Sequence, residues 1–192
     1  MNPIALFVLS EFPQDPDKDT SYLFMLEAQK RGFHILIGLH KDIDYTYNRK
    51  EKKINIPIIN MPKEVFKFTK KNCKKNSKVG LLATEGTLKT GVYNNFFDEN
   101  YNLLKPSESI QKNSVNKAIK FVKMGNVRAA EKAIKPAINY LMSMKCKKII
   151  LGCTELPIAI FAFKSFKNIK SSKIFLDPNL ILAESAMTKH KN

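Results

Sequence analysis

Cysteine is sparse in this chain of 192 residues, represented only by Cys73, Cys146 and Cys153. An odd number of thiols without metal-ligand spacing argues against a disulfide framework, and because His34, His40 and His190 are scattered, no structural metal site is expected either. Arginine is equally sparse. Of 33 basic residues only Arg31, Arg49 and Arg128 are arginine, and the lysines that make up the formal charge of +16 lie all along the chain. Proteins that read nucleic acid concentrate basic residues on one face, use arginine on base edges and interleave aromatics, so no specific nucleic-acid partner is expected. The densest run, Lys67 to Lys78, reads as the solvated end of a helix and its following turn. Long apolar runs are absent too. Ile4 to Leu9 is too short for a membrane span and lacks the basic lead of a signal peptide, so the sequence is read as that of a cytoplasmic protein that does not engage membranes.

What is present is ample core material. With 44% hydrophobic residues a chain of this length can bury one large domain or two small ones. Ile4 to Leu9 reads as a strand, Pro13 to Asp17 as a loop, and Thr20 or Ser21 as the cap of a helix that runs to about Arg31 and ends at Gly32. Phe33 to Leu39 is a second apolar run, which completes a β-α-β unit. Further on, Ile54 to Met61 suggests a short strand, Glu64 to Cys73 a helix, and Lys78 to Ala83 a strand running into Thr84-Glu85-Gly86-Thr87. Thr84 and Thr87 suit the capping of a following helix. Asn102 to Leu104 reads as a brief strand. Ser107 to Met124 reads as one helix whose inward positions are Ile110, Val115, Ala118, Ile119 and Val122. A helix over Val127 to Met144, a strand over Lys173 to Leu176, and a closing helix started by Asp177-Pro178 with Leu180, Ile181 and Ala183 on its apolar face complete the pattern.

The stretch Ile149-Ile150-Leu151-Gly152-Cys153-Thr154-Glu155-Leu156-Pro157 brings a buried strand directly onto a thiol, a hydroxyl and a carboxylate. A free cysteine also serves as a small core hydrophobe. Its place at a strand's carboxyl end, where open α/β sheets bind ligands, with polar Thr154 and Glu155 following, favours the site reading for Cys153. Free N–H groups and the positive end of a helix starting near Pro157 predict a lowered thiol pKa there. Cys73 and Cys146 precede strands and are expected at the sheet's amino edge. At about 3.3 Å per strand residue, Cys146 should sit on the order of 20 Å from Cys153.

The motif Leu151 to Pro157 closely resembles the second-thiol motif of the cofactor-independent aspartate/glutamate racemase family, and the similarity runs nearly continuously from Ile54 through Thr84-Glu85-Gly86-Thr87 to Leu176-Asp177-Pro178. The resemblance implies a racemase-like α/β fold, with a parallel sheet and helices on both faces. It also implies an aspartate or glutamate substrate, Cys153 as thiol acid/base at Cα, and Thr84, Thr87, Lys123, Thr154 and Glu155 as substrate-binding residues. It implies no pyridoxal phosphate or metal, and allows a homodimer. The first thiol of such enzymes stands in a Cys-Asn-Thr-Ala-His motif, which this sequence lacks. Counting along the family pattern places His40 near the vacant position, and an imidazole can serve as a base, although a histidine ending a strand is often incidental. Residues 1–40, with Asp17-Lys18-Asp19-Thr20-Ser21 and Glu27 to Gly32, resemble the start of bacterial glutathione synthetase. Nothing later supplies the Gly-rich loop of ATP-grasp chemistry. The expected organisation is therefore an atypical β-α-β segment over 1–45 and a racemase-like region over 46–192. The sequence admits two functions: an amino-acid racemase, or a disabled amino-acid-binding protein that has lost one of two thiols.

Overall fold

The computed structural model describes residues 4–9, 20–39, 59–97, 100–162 and 173–189. They fall into two compact units, Met1–Ile58 and Ile59–Asn192. The boundary expected at residue 45, His40, and all but the last residues of the strand expected over Ile54 to Met61 lie outside the described residues. Met61 itself begins a helix.

In the first unit, β1 (Ile4–Leu9) and β2 (His34–Leu39) pair in parallel, with Ile4 opposite His34 and Leu9 opposite Leu39. The crossover between them carries α1 (Thr20–Lys30). Gly32 ends that helix with φ +86°, while Phe33 N–H donates to Ala28 O and Gly32 N–H to Gln29 O. That is the Schellman closure, and it needs a residue that takes the left-handed region without strain.

The second unit opens with α2 (Met61–Asn72), capped by Asn60, whose side chain accepts from Lys63 N–H at 3.1 Å. Glu64 in its first turn and Lys70 and Lys71 in its last suit the helix dipole. Then come β3 (Ser77–Ala83), α3 (Glu85–Thr90) and β4 (Tyr101–Leu104). After α4 (Glu108–Ile110), a π-helical stretch Gln111–Asn116 leads into α5 (Lys117–Lys123). The chain continues through α6 (Val127–Ser143), β5 (Lys148–Gly152), α7 (Glu155–Phe161), β6 (Phe175–Leu176) and α8 (Pro178–Lys189). Four strands stand side by side in the order β4, β3, β5, β6, all parallel.

Both faces of this sheet are covered, as its near-continuous apolar strands require. Leu82, Ile149 and Leu151 point into one core with Ala118, Ile134, Ile138 and Leu141 of the helices around α6. Val79, Leu81, Ala83 and Ile150 point into the other, with Val65 of α2 and Ile181 of α8. Each fully buried Leu or Ile contributes about 1.5–3 kcal/mol by leaving water. The approach of α6 to β3 is so close that a Cβ on Gly80 would lie 2.7 Å from Leu141 Cδ1.

The helix expected over Ser107 to Met124 runs without a break from Glu108 to Lys123, with π geometry at its middle where it packs on α6. Pro136 sits inside α6 and cannot donate to the turn before it. Ser114, only 2% exposed, inserts its hydroxyl there, donating to Ala133 O and accepting from Ala137 N–H at 3.2 Å. A side chain inserted into a helical ladder is one of the recognised causes of a kink, and the neighbouring chain adopts π geometry over the same residues. Val115, Ala118 and Ile119 are buried as expected, with Ile110 and Val122 half-buried against the same core. Two expectations need correction. β6 starts at Phe175, since Lys173 adopts φ +51° in a left-handed turn that a strand cannot include. Leu180 is 54% exposed, and Ile181 is the residue that α8 buries. Among the described residues, no helix is long and apolar enough to cross a membrane.

Candidate active site at the carboxyl ends of two central strands

β3 connects onward to β4 on one side of the sheet and β5 to β6 on the other, so the connections part between two hydrogen-bonded neighbours. The carboxyl ends at such a parting form the crevice where open α/β sheets take ligands. Ala83 and Gly152 are the last paired residues there. A Cβ on Gly152 would lie 3.2 Å from Ala83 Cβ and 3.1 Å from Leu81 Cδ1, so a small residue keeps the strand ends together. Thr84 and Glu85 follow one strand, and Cys153, Thr154 and Glu155 follow the other.

Cys153 is half-buried and donates its S–H to Glu155 Oε2 at 2.6 Å, while Thr154 Oγ1 donates to the same oxygen at 3.1 Å. Lys123, the last residue of α5, places Nζ 3.6 Å from Glu155 Oε1. Four residues singled out in the sequence, Cys153, Thr154, Glu155 and Lys123, therefore form one group.

The expectation of a lowered thiol pKa is overturned. Burial pushes the Cys153 thiol up to about 12, and the hydrogen bond to Glu155 and that carboxylate's charge push the same way, against a backbone hydrogen bond and the charge of Lys123. The helix that was to lower it, α7, has only seven residues. Glu155 shows the complementary effect. Burial raises its carboxyl, but hydrogen bonds from Cys153, backbone N–H and Thr154, together with Lys123, outweigh burial and hold it below the ordinary value. The resting pair is a neutral thiol donating to a carboxylate. Burial also raises the thiols of Cys73 and Cys146.

Thr84 caps α3, its Oγ1 accepting from Thr87 N–H at 3.2 Å and lying 3.0 Å from Thr87 Oγ1. Beside it opens a cleft of about 510 Å³, lined by Thr84, Glu85, Asn116, Ile119, Lys120 and Lys123 among others. Lys123 belongs to both the cleft and the thiol group. Thr87, Cys153, Thr154 and Glu155 are not among its lining residues. Sequence reading missed Asn116, Gln111 and the role of Glu85. Gln111 Nε2 donates to Ala83 O at 2.9 Å and to Asn116 Oδ1 at 2.8 Å, and Asn116 Nδ2 donates to Glu85 Oε1 at 2.6 Å. Gln111 and Asn116 meet because π geometry re-aims them, and no local pattern announces that. A second hollow, about 620 Å³, lies between α2 and α8, with Phe68 and Ile181 beside Glu64 and Lys67. Its charges are already engaged at least in part, Lys67 Nζ lying 2.8 Å from Glu64 Oε1. Among the described residues no group of three or more His, Cys, Asp or Glu could hold a metal ion.

Comparison with known proteins agrees with this architecture. The chain resembles a protein of Pectobacterium carotovorum subsp. carotovorum described as an uncharacterized protein in the pnlA 3' region, at 35% identity over 85 residues, which is 44% of this chain and 56% of that protein. Among solved structures, Picrophilus torridus aspartate racemase is similar with a TM-score of 0.56 and 27% identity, over 80% of this chain and 61% of that one. An aspartate racemase homologue from Pyrococcus horikoshii OT3 superposes over the whole of both chains with a TM-score of 0.67, and at 16% identity it speaks for the fold alone. The family model for Asp/Glu/Hydantoin racemase matches residues 42–186, three quarters of the sequence, and with the crevice between β3 and β5 in the place that fold uses for ligands, the chain belongs to the Asp/Glu/hydantoin racemase family.

Proposed function

We propose that this protein is an aspartate/glutamate racemase-like isomerase that acts at Cα of an acidic amino acid through Cys153, without pyridoxal phosphate. The observation that carries the reading is the Cys153–Glu155–Lys123 group at the parting of β3 and β5. Thr84, Thr87, Lys123, Thr154 and Glu155 are proposed to bind the substrate, as the family pattern implies.

Racemisation takes a proton from one face of Cα and returns one to the other. With its thiol pushed up to about 12, Cys153 rests as an acid and can deliver a proton to a carbanion at Cα. To act as a base it must first pass its own proton to Glu155, after which the thiolate takes the Cα proton and Lys123 offsets the charge. A thiol this reluctant to ionise has less driving force in either step than one poised near neutrality. Cys73 caps the end of α2 and Cys146 precedes β5, so neither stands at the carboxyl ends of the strands.

That observation favours a second reading, in which a single thiol serves one face only and the protein binds its amino acid with slow proton exchange or none. Incubation of L- and D-aspartate in deuterium oxide separates the two. Deuterium at Cα with inversion supports the racemase, exchange of one enantiomer with retention supports the one-sided site, and no exchange of either enantiomer of aspartate or glutamate overturns catalysis by Cys153. If inversion is found, loss of it in His40→Ala would identify the second base.

A further inference from the structure

We infer that Glu85 is the group that recognises the substrate's ammonium, held in aim by the amide pair Gln111 and Asn116. The assignment rests on the amino-acid reading above and deepens it, since that reading gives Glu85 no role. Glu85 is exposed at the first position of a six-residue helix, where a glutamate is ordinarily free to move. Here it is tethered. Its Oε1 accepts from Asn116 Nδ2 at 2.6 Å, Asn116 Oδ1 accepts from Gln111 Nε2 at 2.8 Å, and Gln111, 6% exposed, is anchored on Ala83 O at the very end of β3. Gln111 Oε1 is left buried with no partner among the described residues, a cost the anchoring tolerates. Ordering three side chains to hold one surface carboxylate costs conformational entropy that an untethered glutamate would keep. The carboxylate keeps acceptor capacity beyond the bond from Asn116.

The charges lining the cleft indicate what it is aimed at. Glu85 is the one carboxylate in the lining, while Lys120 and Lys123, three residues apart on one face of α5, are its two ammonium groups. An acidic amino acid carries the inverse set, one ammonium and two carboxylates. Such a molecule answers the charges in the cleft when its ammonium meets Glu85 and its carboxylates meet Lys120 and Lys123, the latter shared with Glu155. Contact with Glu85 also keeps the amine protonated, the state in which the Cα proton is more acidic.

Calorimetric titration of the full chain with L-aspartate and with succinate, which keeps both carboxylates and lacks the ammonium, tests the assignment. The wild-type protein is expected to bind aspartate about tenfold more tightly than succinate, and Glu85→Gln to lose about that factor for aspartate alone, as one charge-assisted contact in a partly wet site commands. Asn116→Ala, which frees the carboxylate without removing it, should lose part of the same factor. Equal loss for both ligands, or an unchanged ratio in Glu85→Gln, overturns the assignment. Wild-type protein that binds the two ligands alike also overturns it, and leaves the thiol reading to stand or fall by deuterium exchange. Binding of neither ligand overturns the assignment together with the acidic amino acid as substrate.

Discussion

Cys146 and Cys153 flank the same strand, one just before β5 and one just after it, yet they inhabit different chemistry. Cys146 is 6% exposed and belongs to the apolar core under α6, and burial alone raises its thiol. Cys153 is raised by burial as well, but its proton lies on a hydrogen bond to Glu155, which in turn answers to Thr154 and Lys123. Two residues of one type flanking one strand thus end in an apolar and a polar setting by what tertiary contacts bring to each end. A parallel sheet points all its carboxyl ends one way, and that is the edge at which open α/β sheets take ligands.

The largest test of this contrast is exchange at Cα. Cys153→Ser should depress any exchange by about 10²- to 10⁴-fold, the usual weight of one acid/base partner. Cys146→Ser should leave it unchanged. Equal loss in both variants would erase the distinction.

Stability should show the reverse order. Cys146→Ser buries a hydroxyl in an apolar core and is expected to cost about 1–3 kcal/mol, whereas Cys153→Ser, beside a ready acceptor, should cost much less. Ser114→Ala belongs with the first group, for it strands Ala133 O and Ala137 N–H in the gap at Pro136, again about 1–3 kcal/mol. Denaturant midpoints would measure all three, and a Ser114→Ala protein as stable as wild type would disprove the inserted hydroxyl's role.

A subtler effect concerns proton affinity. Glu155→Gln removes the carboxylate that helps raise the Cys153 thiol but not the burial that comes first, so the thiol should titrate below about 12 yet above an ordinary cysteine. Site-resolved alkylation against pH would show Cys153 reacting several-fold faster in the variant at mildly alkaline pH, and Cys146 unaltered. An unchanged Cys153 profile would remove Glu155 from the account. Because the Glu155 carboxyl is lowered in the folded state from a reference of 4.5, its contribution to stability is present above that pH and is lost as pH falls through the folded value. Wild-type protein should therefore lose its stability difference from Glu155→Gln in acid.

The smallest expected effect sharpens the contrast from outside the site. Leu180→Ser, at an exposed position, should change stability by no more than about 0.5 kcal/mol, while its neighbour Ile181→Ala should cost about 2–5 kcal/mol. Comparable losses would mean that α8 buries the other residue.

Most of the fold was legible because its signals are local. The apolar runs of β3 and β5, Gly32 after α1 and Asp177-Pro178 at the start of α8 each act within a few residues of themselves, whereas Asn60, read as part of a strand, proved to be the cap of α2. Lys173 was misread because a lysine in the left-handed region carries no sequence mark, and Leu180 because an apolar residue at a helix's start does not reveal which way the helix turns. In the site, Cys153, Thr154 and Glu155 were legible as a thiol, hydroxyl and carboxylate at a strand's end, and Lys123 through the family pattern.

By itself, then, the sequence determined the parallel α/β architecture and the membership in a racemase family, because strand and helix periods and a seven-residue motif are written contiguously. Tertiary structure alone decided the state of the thiol, the π-helical turn and the cleft. Proton affinity depends on burial and on a carboxylate placed by folding, the π turn sets Ser114 between Ala133 and Ala137 of another helix, and Glu85 is bonded in series with amides 31 and 26 residues further along the chain. Even the Cys153–Glu155 contact, two residues apart in sequence, acts on the thiol as it does only once both are half-buried at the strand ends.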